Sequence, residues 1–152
     1  MNRALVVVES TDSAKRLVRN AGEFAAGTGG ELVLLATMND DEYEHTLETM
    51  STIADVEGTS YSSADVTESG RQFVRDIAGA ELTDLDVEYE PLCAVVEDGQ
   101  QARRIVATAA ERDCDHVFIT GHKRSPTGKA IFGDTAQRVI LDFDGPVTVV
   151  TD

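Results

Sequence analysis

The chain has no tryptophan, and its 152 residues include only three prolines, two cysteines and three lysines; aromatic residues make up 5%. Two cysteines, Cys93 and Cys114, are too few for a disulfide framework, and both are expected to be reduced, buried small hydrophobes. No run of about 18 apolar residues occurs, which excludes a membrane-spanning helix. The opening Met-Asn-Arg-Ala-Leu-Val-Val-Val-Glu meets Glu9 too early for a signal-peptide apolar region, so a cytoplasmic location is expected. Positive charge is also scarce: 13 Lys+Arg stand against 28 Asp+Glu, a net charge of −15. Such a chain is repelled by nucleic acid backbone and by anionic lipid, so neither is an expected partner.

Lys15, Lys123 and Lys129 are the only lysines; the other basic residues are arginine. An acidic, lysine-poor chain fits a protein kept soluble in concentrated salt, with an ordinary acidic cytosolic protein as the alternative. The acid is unevenly placed. Residues 38–90 hold 15 acids and 2 bases, whereas residues 1–37 hold 4 of each and residues 91–152 hold 9 acids and 7 bases.

What is present is a globular composition, 41% hydrophobic, in a length that suits one domain spanning residues 1–152. Leu5–Val8 and Leu32–Ala36 are continuous apolar runs, as expected of strands buried on both faces of a parallel sheet. Ser10, Thr11, Asp12 and Ser13 are all good helix caps, and capping is the expected duty of Ser10. Leu17, Val18, Ala21, Phe24 and Ala25 then recur at helical spacing. A second helix is expected after caps at Asp40 and Asp41, on the face of Tyr43, Leu47, Met50 and Ala54, with a stop at Gly58. Val66, Gly70, Phe73, Val74 and Ile77 mark a third. Leu85–Tyr89 alternates and reads as an edge strand ended by Pro91, or extended past a kink through Leu92–Val96. A helix on Ala102, Ile105, Val106 and Ala109, a strand Val117–Thr120, a helix starting near Asp134-Thr135 and a strand Val147–Val150 complete the rhythm. Strands joined by helices in this way predict a five-stranded parallel α/β sheet with helices on both faces. Ligands of such sheets sit beyond the C-terminal ends of the strands.

The segment from His116 to Gly133 contains no acid and three formal positive charges, with Lys123 and Lys129 among them. It leaves a buried strand, carries glycines and runs into a helix N-terminus, whose free N–H groups and positive dipole suit an anion, most naturally phosphate. The alternative is a solvated basic loop that balances local acid or serves an interface. Gly128-Lys129 is not a P-loop: Lys123 stands where the first glycine belongs, and Ala130 where a magnesium-binding hydroxyl belongs. Glu9-Ser10-Thr11-Asp12-Ser13 has no glycine and so no dinucleotide fingerprint. Cys114 and His116 offer too few ligands for zinc. His122 stands in the basic loop, either for phosphate or simply exposed, and His45 lies in an acidic helix without a role.

These residues together resemble the universal stress protein family over nearly the whole length. Ala4–Glu9 followed by Ser10 is similar to the family's first strand, and Glu97-Asp98-Gly99 to its turn before a major helix. Asp115–Gly121 is similar to its Asp-apolar-apolar-Gly strand, and Gly133, Arg138-Val139 and Gly145–Val150 to its C-terminal third. The resemblance implies a Rossmann-like sandwich of the adenine-nucleotide alpha-hydrolase type, with strand order 3-2-1-4-5. Nucleotide-binding members carry Gly-x-x-Gly, nine residues, then Gly-Ser/Thr around the ribose and phosphates of ATP. Gly121 and Gly133 match the outer glycines. Arg124 replaces the second glycine, the loop is one residue shorter, and Asp134 replaces the Ser/Thr, with Thr135 able to supply a hydroxyl after a one-residue shift. Glu9 replaces the Asp that ends strand one, and Thr37 falls where family members touch adenine through their backbone.

Two readings follow. In one, a stress-response regulatory module binds ATP or another adenine nucleotide, with Mg²⁺ bridging Asp134 and phosphate. Gly121, Lys123, Arg124, Ser125, Lys129, Gly133, Asp134 and Thr135 then surround the phosphates, and Glu9 and Thr37 face the ribose and base. In the other, the motif is degraded and the same fold works through dimerisation or partner binding. The resemblance implies a homodimer through Val147–Val150 in either case. Catalysis beyond weak ATP hydrolysis is not expected, because no nucleophile stands beside a matching base.

Overall fold

The computed structural model describes residues 1–57, 63–121 and 133–151. Strand β1 (Arg3–Val7) leads to helix α1 (Asp12–Thr28), β2 (Glu31–Met38), the successive helices α2 (Asp40–Glu57) and α3 (Ser63–Glu81), and β3 (Tyr89–Val95). Helix α4 (Gln101–Glu111), β4 (His116–Gly121), α5 (Asp134–Asp142) and β5 (Val147–Thr151) follow. The strands form one sheet in the order β3-β2-β1-β4-β5, and every adjacent pair is parallel. This is the Rossmann-like order expected from the resemblance.

The period-two geometry of a strand sends alternate apolar residues to opposite faces. Val6, Leu34 and Phe118 join Leu17 and Val18 of α1 and Val74 of α3 in one core. Leu5, Val7, Val33, Leu35, Val117 and Ile119 join Ile105 of α4 and Val139 of α5 in the other. Two apolar layers on one sheet explain why the central strands read as unbroken hydrophobic runs.

Several boundaries differ from the sequence expectation. Thr11, not Ser10, caps α1: its Oγ1 accepts from the Ala14 N–H at 3.1 Å. At α2 the cap is Asn39 rather than Asp40 or Asp41. Its Oδ1 accepts from the Glu42 N–H at 2.8 Å, and Glu42 Oε1 accepts in return from the Asn39 N–H at 3.3 Å, the reciprocal arrangement of a capping box. The third strand is Tyr89–Val95 and contains Pro91. Residues 82–88 instead form a turn and an extended approach, with Leu85 and Val87 against the first core.

Pro91 is tolerated for a reason visible in the pairing. Glu88 O accepts from Leu32 N, and Val96 N donates to Met38 O, so even-numbered residues turn their backbone groups toward β2. Pro91, odd-numbered, places its missing N–H on the open side of an edge strand, where it costs no ladder bond. The cysteines are free and half-buried rather than fully buried. Burial raises both thiol pKa values, that of Cys114 to about 11, which keeps them protonated and inert.

Candidate functional site

The chain runs β1-β2-β3 outward on one side of β1, then returns to place β4 and β5 on the other. The topological switch point therefore lies between β1 and β4, where parallel sheets open a crevice beyond their C-terminal ends. Two adjoining cavities occupy that end. The larger, about 650 Å³, lies over β1, β2 and β3 and is lined by Glu9, Thr11, Thr37, Gly70, Cys93 and Gln101, among others. The smaller, about 250 Å³, lies between β1 and β4 and reaches the start of α5 through Gly121, Gly133, Asp134 and Thr135. Glu9, Thr11 and Gln101 line both, so the two form one cleft.

Each wall has a local cause. Helix α5 starts on Gly133, whose φ of 90° and ψ of 154° suit glycine, and no side chain caps it there. The first N–H groups of a helix have no acceptor within it, and the residues that carry them here, Asp134, Thr135 and Ala136, line the smaller cavity. Thr37, at the end of β2, accepts from Gln101 Nε2 at 2.9 Å. Thr135 donates to Gln101 Oε1 at 3.3 Å. The structure thus gathers Glu9, Thr37, Gly121, Gly133, Asp134 and Thr135 from distant parts of the sequence into one cleft. Lys123, Arg124, Ser125 and Lys129 lie outside the described residues, as does His122.

The charge of the described lining is one-sided. Glu9, Glu42, Glu97, Asp98 and Asp134 line the cleft, and no lysine or arginine does so among the described residues. Nor, among those residues, does any group of three or more His, Cys, Asp or Glu side chains stand ready to hold a metal ion. No helix there is long and apolar enough to cross a membrane.

Sequence reasoning passed over Gln101 and gave Thr11 only a cap among equals. The Glu97-Asp98-Gly99 turn was the available signal, since it sets α4 to begin at the cleft and puts Gln101 in its first turn. His116 lies at the opposite end of β4, stacked on Phe118 at 4.5 Å, with Nε2 2.8 Å from Thr148 Oγ1.

Residues 1–151 match the model of the universal stress protein family. Among solved structures, a universal stress protein from Archaeoglobus fulgidus is 25% identical with a TM-score of 0.58, covering 99% of this chain and 98% of its own. A universal stress protein in complex with cAMP is 18% identical with a TM-score of 0.59, at 99% and 96% coverage. Another Archaeoglobus fulgidus structure of a universal stress protein, in complex with dAMP, is 20% identical with a TM-score of 0.52, at 99% and 97% coverage.

Proposed function

Because the chain belongs to the universal stress protein family, we propose that it is a stress-response regulatory module that binds ATP or another adenine nucleotide in the cleft at the β1/β4 switch point. The observation that carries this reading is the continuity of the cleft from the end of β2 to the uncapped N-terminus of α5. The base lies by Thr37 in the larger cavity and the ribose by Glu9, which lines both. The phosphates lie by Gly121, Gly133, Asp134 and Thr135, where the helix N–H groups and dipole favour an anion. Lys123, Arg124, Ser125 and Lys129 supply the remaining phosphate contacts from the connecting segment. The complexes of related proteins with cAMP and dAMP support the ligand class.

The lining fits a nucleotide with one qualification of charge. Five carboxylates face the cleft, so a polyphosphate enters with a cation. Hard oxygen ligands suit Mg²⁺, which the phosphates would carry and Asp134 would help to hold, supplying positive charge against the carboxylates. The proposed role is regulatory rather than catalytic, in one cytoplasmic domain that pairs with a second copy through Val147–Val150.

Titration of the protein with ATP·Mg in molar KCl, followed by calorimetry, tests this reading. Heat of binding at or below millimolar ligand is expected, and its absence refutes it. The acidic lining favours a second reading, an interaction module of the same fold that takes no nucleotide. An absorbance ratio at 260 and 280 nm showing nucleotide carried through purification would count against that reading; the absence of tryptophan makes the ratio sensitive.

A further inference from the structure

Gln101 spans the cleft. Its carboxamide holds Thr37 at the end of β2 and Thr135 in the first turn of α5, partners 64 and 34 residues away in the chain. It also lines both cavities. One side chain therefore bridges the base end and the phosphate end of the proposed site.

A carboxamide has a donor end and an acceptor end of nearly equal shape, and a hydroxyl can donate or accept. In the arrangement seen, Gln101 Nε2 donates to Thr37, and Thr135 donates to Gln101 Oε1. Thr135 has then committed its single proton, so it shows the cleft only lone pairs, which a phosphate repels. Thr37 keeps its own proton available to the cleft. Turning the amide by half a revolution reverses both bonds without losing either. Thr37 then donates to Oε1 and Nε2 donates to Thr135, whose proton is released toward an anion at the N-terminus of α5. The same turn leaves Thr37 showing lone pairs to the base.

We propose that Gln101 is a positioning residue that acts as a hydrogen-bond relay, reversed by a phosphate beside Thr135, so that phosphate occupancy tunes which purine the Thr37 end accepts. The proposal rests on the nucleotide reading above. With phosphate present, Thr37 accepts, which suits the exocyclic amino group of adenine and opposes the carbonyl of hypoxanthine. Without phosphate, Thr37 can donate, and the distinction weakens.

The test is the dissociation constants of four ligands, AMP, IMP, adenosine and inosine, measured by calorimetry in molar KCl. In the wild type the AMP-over-IMP preference should exceed the adenosine-over-inosine preference by about 2- to 10-fold, the worth of one hydrogen bond. Gln101→Met breaks the bridge while keeping its length, and the two preferences should become equal. Gln101→Glu accepts from both threonines, so Thr37 is locked as an acceptor and adenosine should be preferred over inosine as strongly as AMP over IMP. A purely structural brace would shift all four affinities together and leave the ratios unchanged, as would a site without a relay; either result overturns the proposal while leaving the nucleotide site standing. Failure of all four ligands to bind the wild type overturns both.

Discussion

Two glycines of the same helix should respond oppositely to the same substitution. At Gly79 of α3 an added Cβ meets nothing within 4 Å. At Gly70 it would overlap Cys93 Sγ and lie 2.8 Å from Cys93 Cβ. Cys93 cannot step back easily, because β3 is held by its ladder to β2, where Cys93 pairs with Ala36. Glycine to alanine within a helix gains up to about 1 kcal/mol from backbone entropy. Overpacking costs roughly 1–3 kcal/mol. Gly79→Ala should therefore stabilise by up to about 1 kcal/mol, and Gly70→Ala should range from neutral to about 2 kcal/mol destabilising. At about 2–4 °C per kcal/mol for a chain of this size, the two variants should melt roughly 2–12 °C apart. Thermal melts in one molar-KCl buffer, with urea midpoints as a second probe, give the comparison. Cys93→Ala in the Gly70→Ala background removes the sulfur but keeps the Cβ, and should recover part of the loss. If Gly70→Ala is as stable as Gly79→Ala, the helix–strand contact is not limited by packing and the reasoning fails.

Stability should rise with salt, because 15 acids face 2 bases in residues 38–90 and both of those bases, Arg71 and Arg75, pair with the same Glu68; a melting temperature unchanged between 0.1 and 3 M KCl would contradict this, since screening should act most strongly on such a face. Asp134→Asn removes the carboxylate proposed to hold Mg²⁺ at the phosphate end of the cleft and should weaken ATP·Mg binding, at a cost of about 0.3–1 kcal/mol in stability from the lost dipole partner at the start of α5; unchanged or tighter affinity in calorimetry would be the contrary result. Burial holds the His116 imidazole below its usual pKa, with the N-terminal amine adding to the effect and Asp115 opposing it. The unfolded chain then takes up this proton at higher pH than the folded one, so the stability from a neutral His116 is present above the unfolded value and is lost as pH falls toward the folded one. Urea midpoints between pH 7.5 and 5 at fixed KCl should therefore fall further for the wild type than for His116→Gln; parallel curves would show that His116 is not involved.

The parallel sheet was legible because its central strands are hydrophobic on both faces and its helices carry one apolar stripe each. The third strand was harder. Leu85-Asp-Val-Glu-Tyr alternates as an edge strand does, yet Leu85 and Val87 pack on the core from an irregular approach, and pairing begins at Tyr89. Pro91 reads as a terminator until the side its backbone faces is known. At the cleft, the resemblance drew attention to Glu9, Thr37, Gly133 and Thr135. Gln101 could not be found this way: a glutamine in a first helical turn is unremarkable in sequence, and its meaning arises only where β2, α4 and α5 converge. The acidic lining was equally hidden, because Glu9, Glu42, Glu97, Asp98 and Asp134 are scattered along the chain.

The two borders of the sheet are unequal, and this limits how copies can add to one another. On the β3 border, Pro91 interrupts the outward row of donors and exposed Glu88 and Glu90 stand beside it. On the β5 border, Val147–Thr151 has neither proline nor charge and is half-buried throughout. If two chains join border to border through β5, each new outer limit is a β3 strand that rejects a further strand. Assembly by this route stops at two copies, and a fibre cannot grow from it.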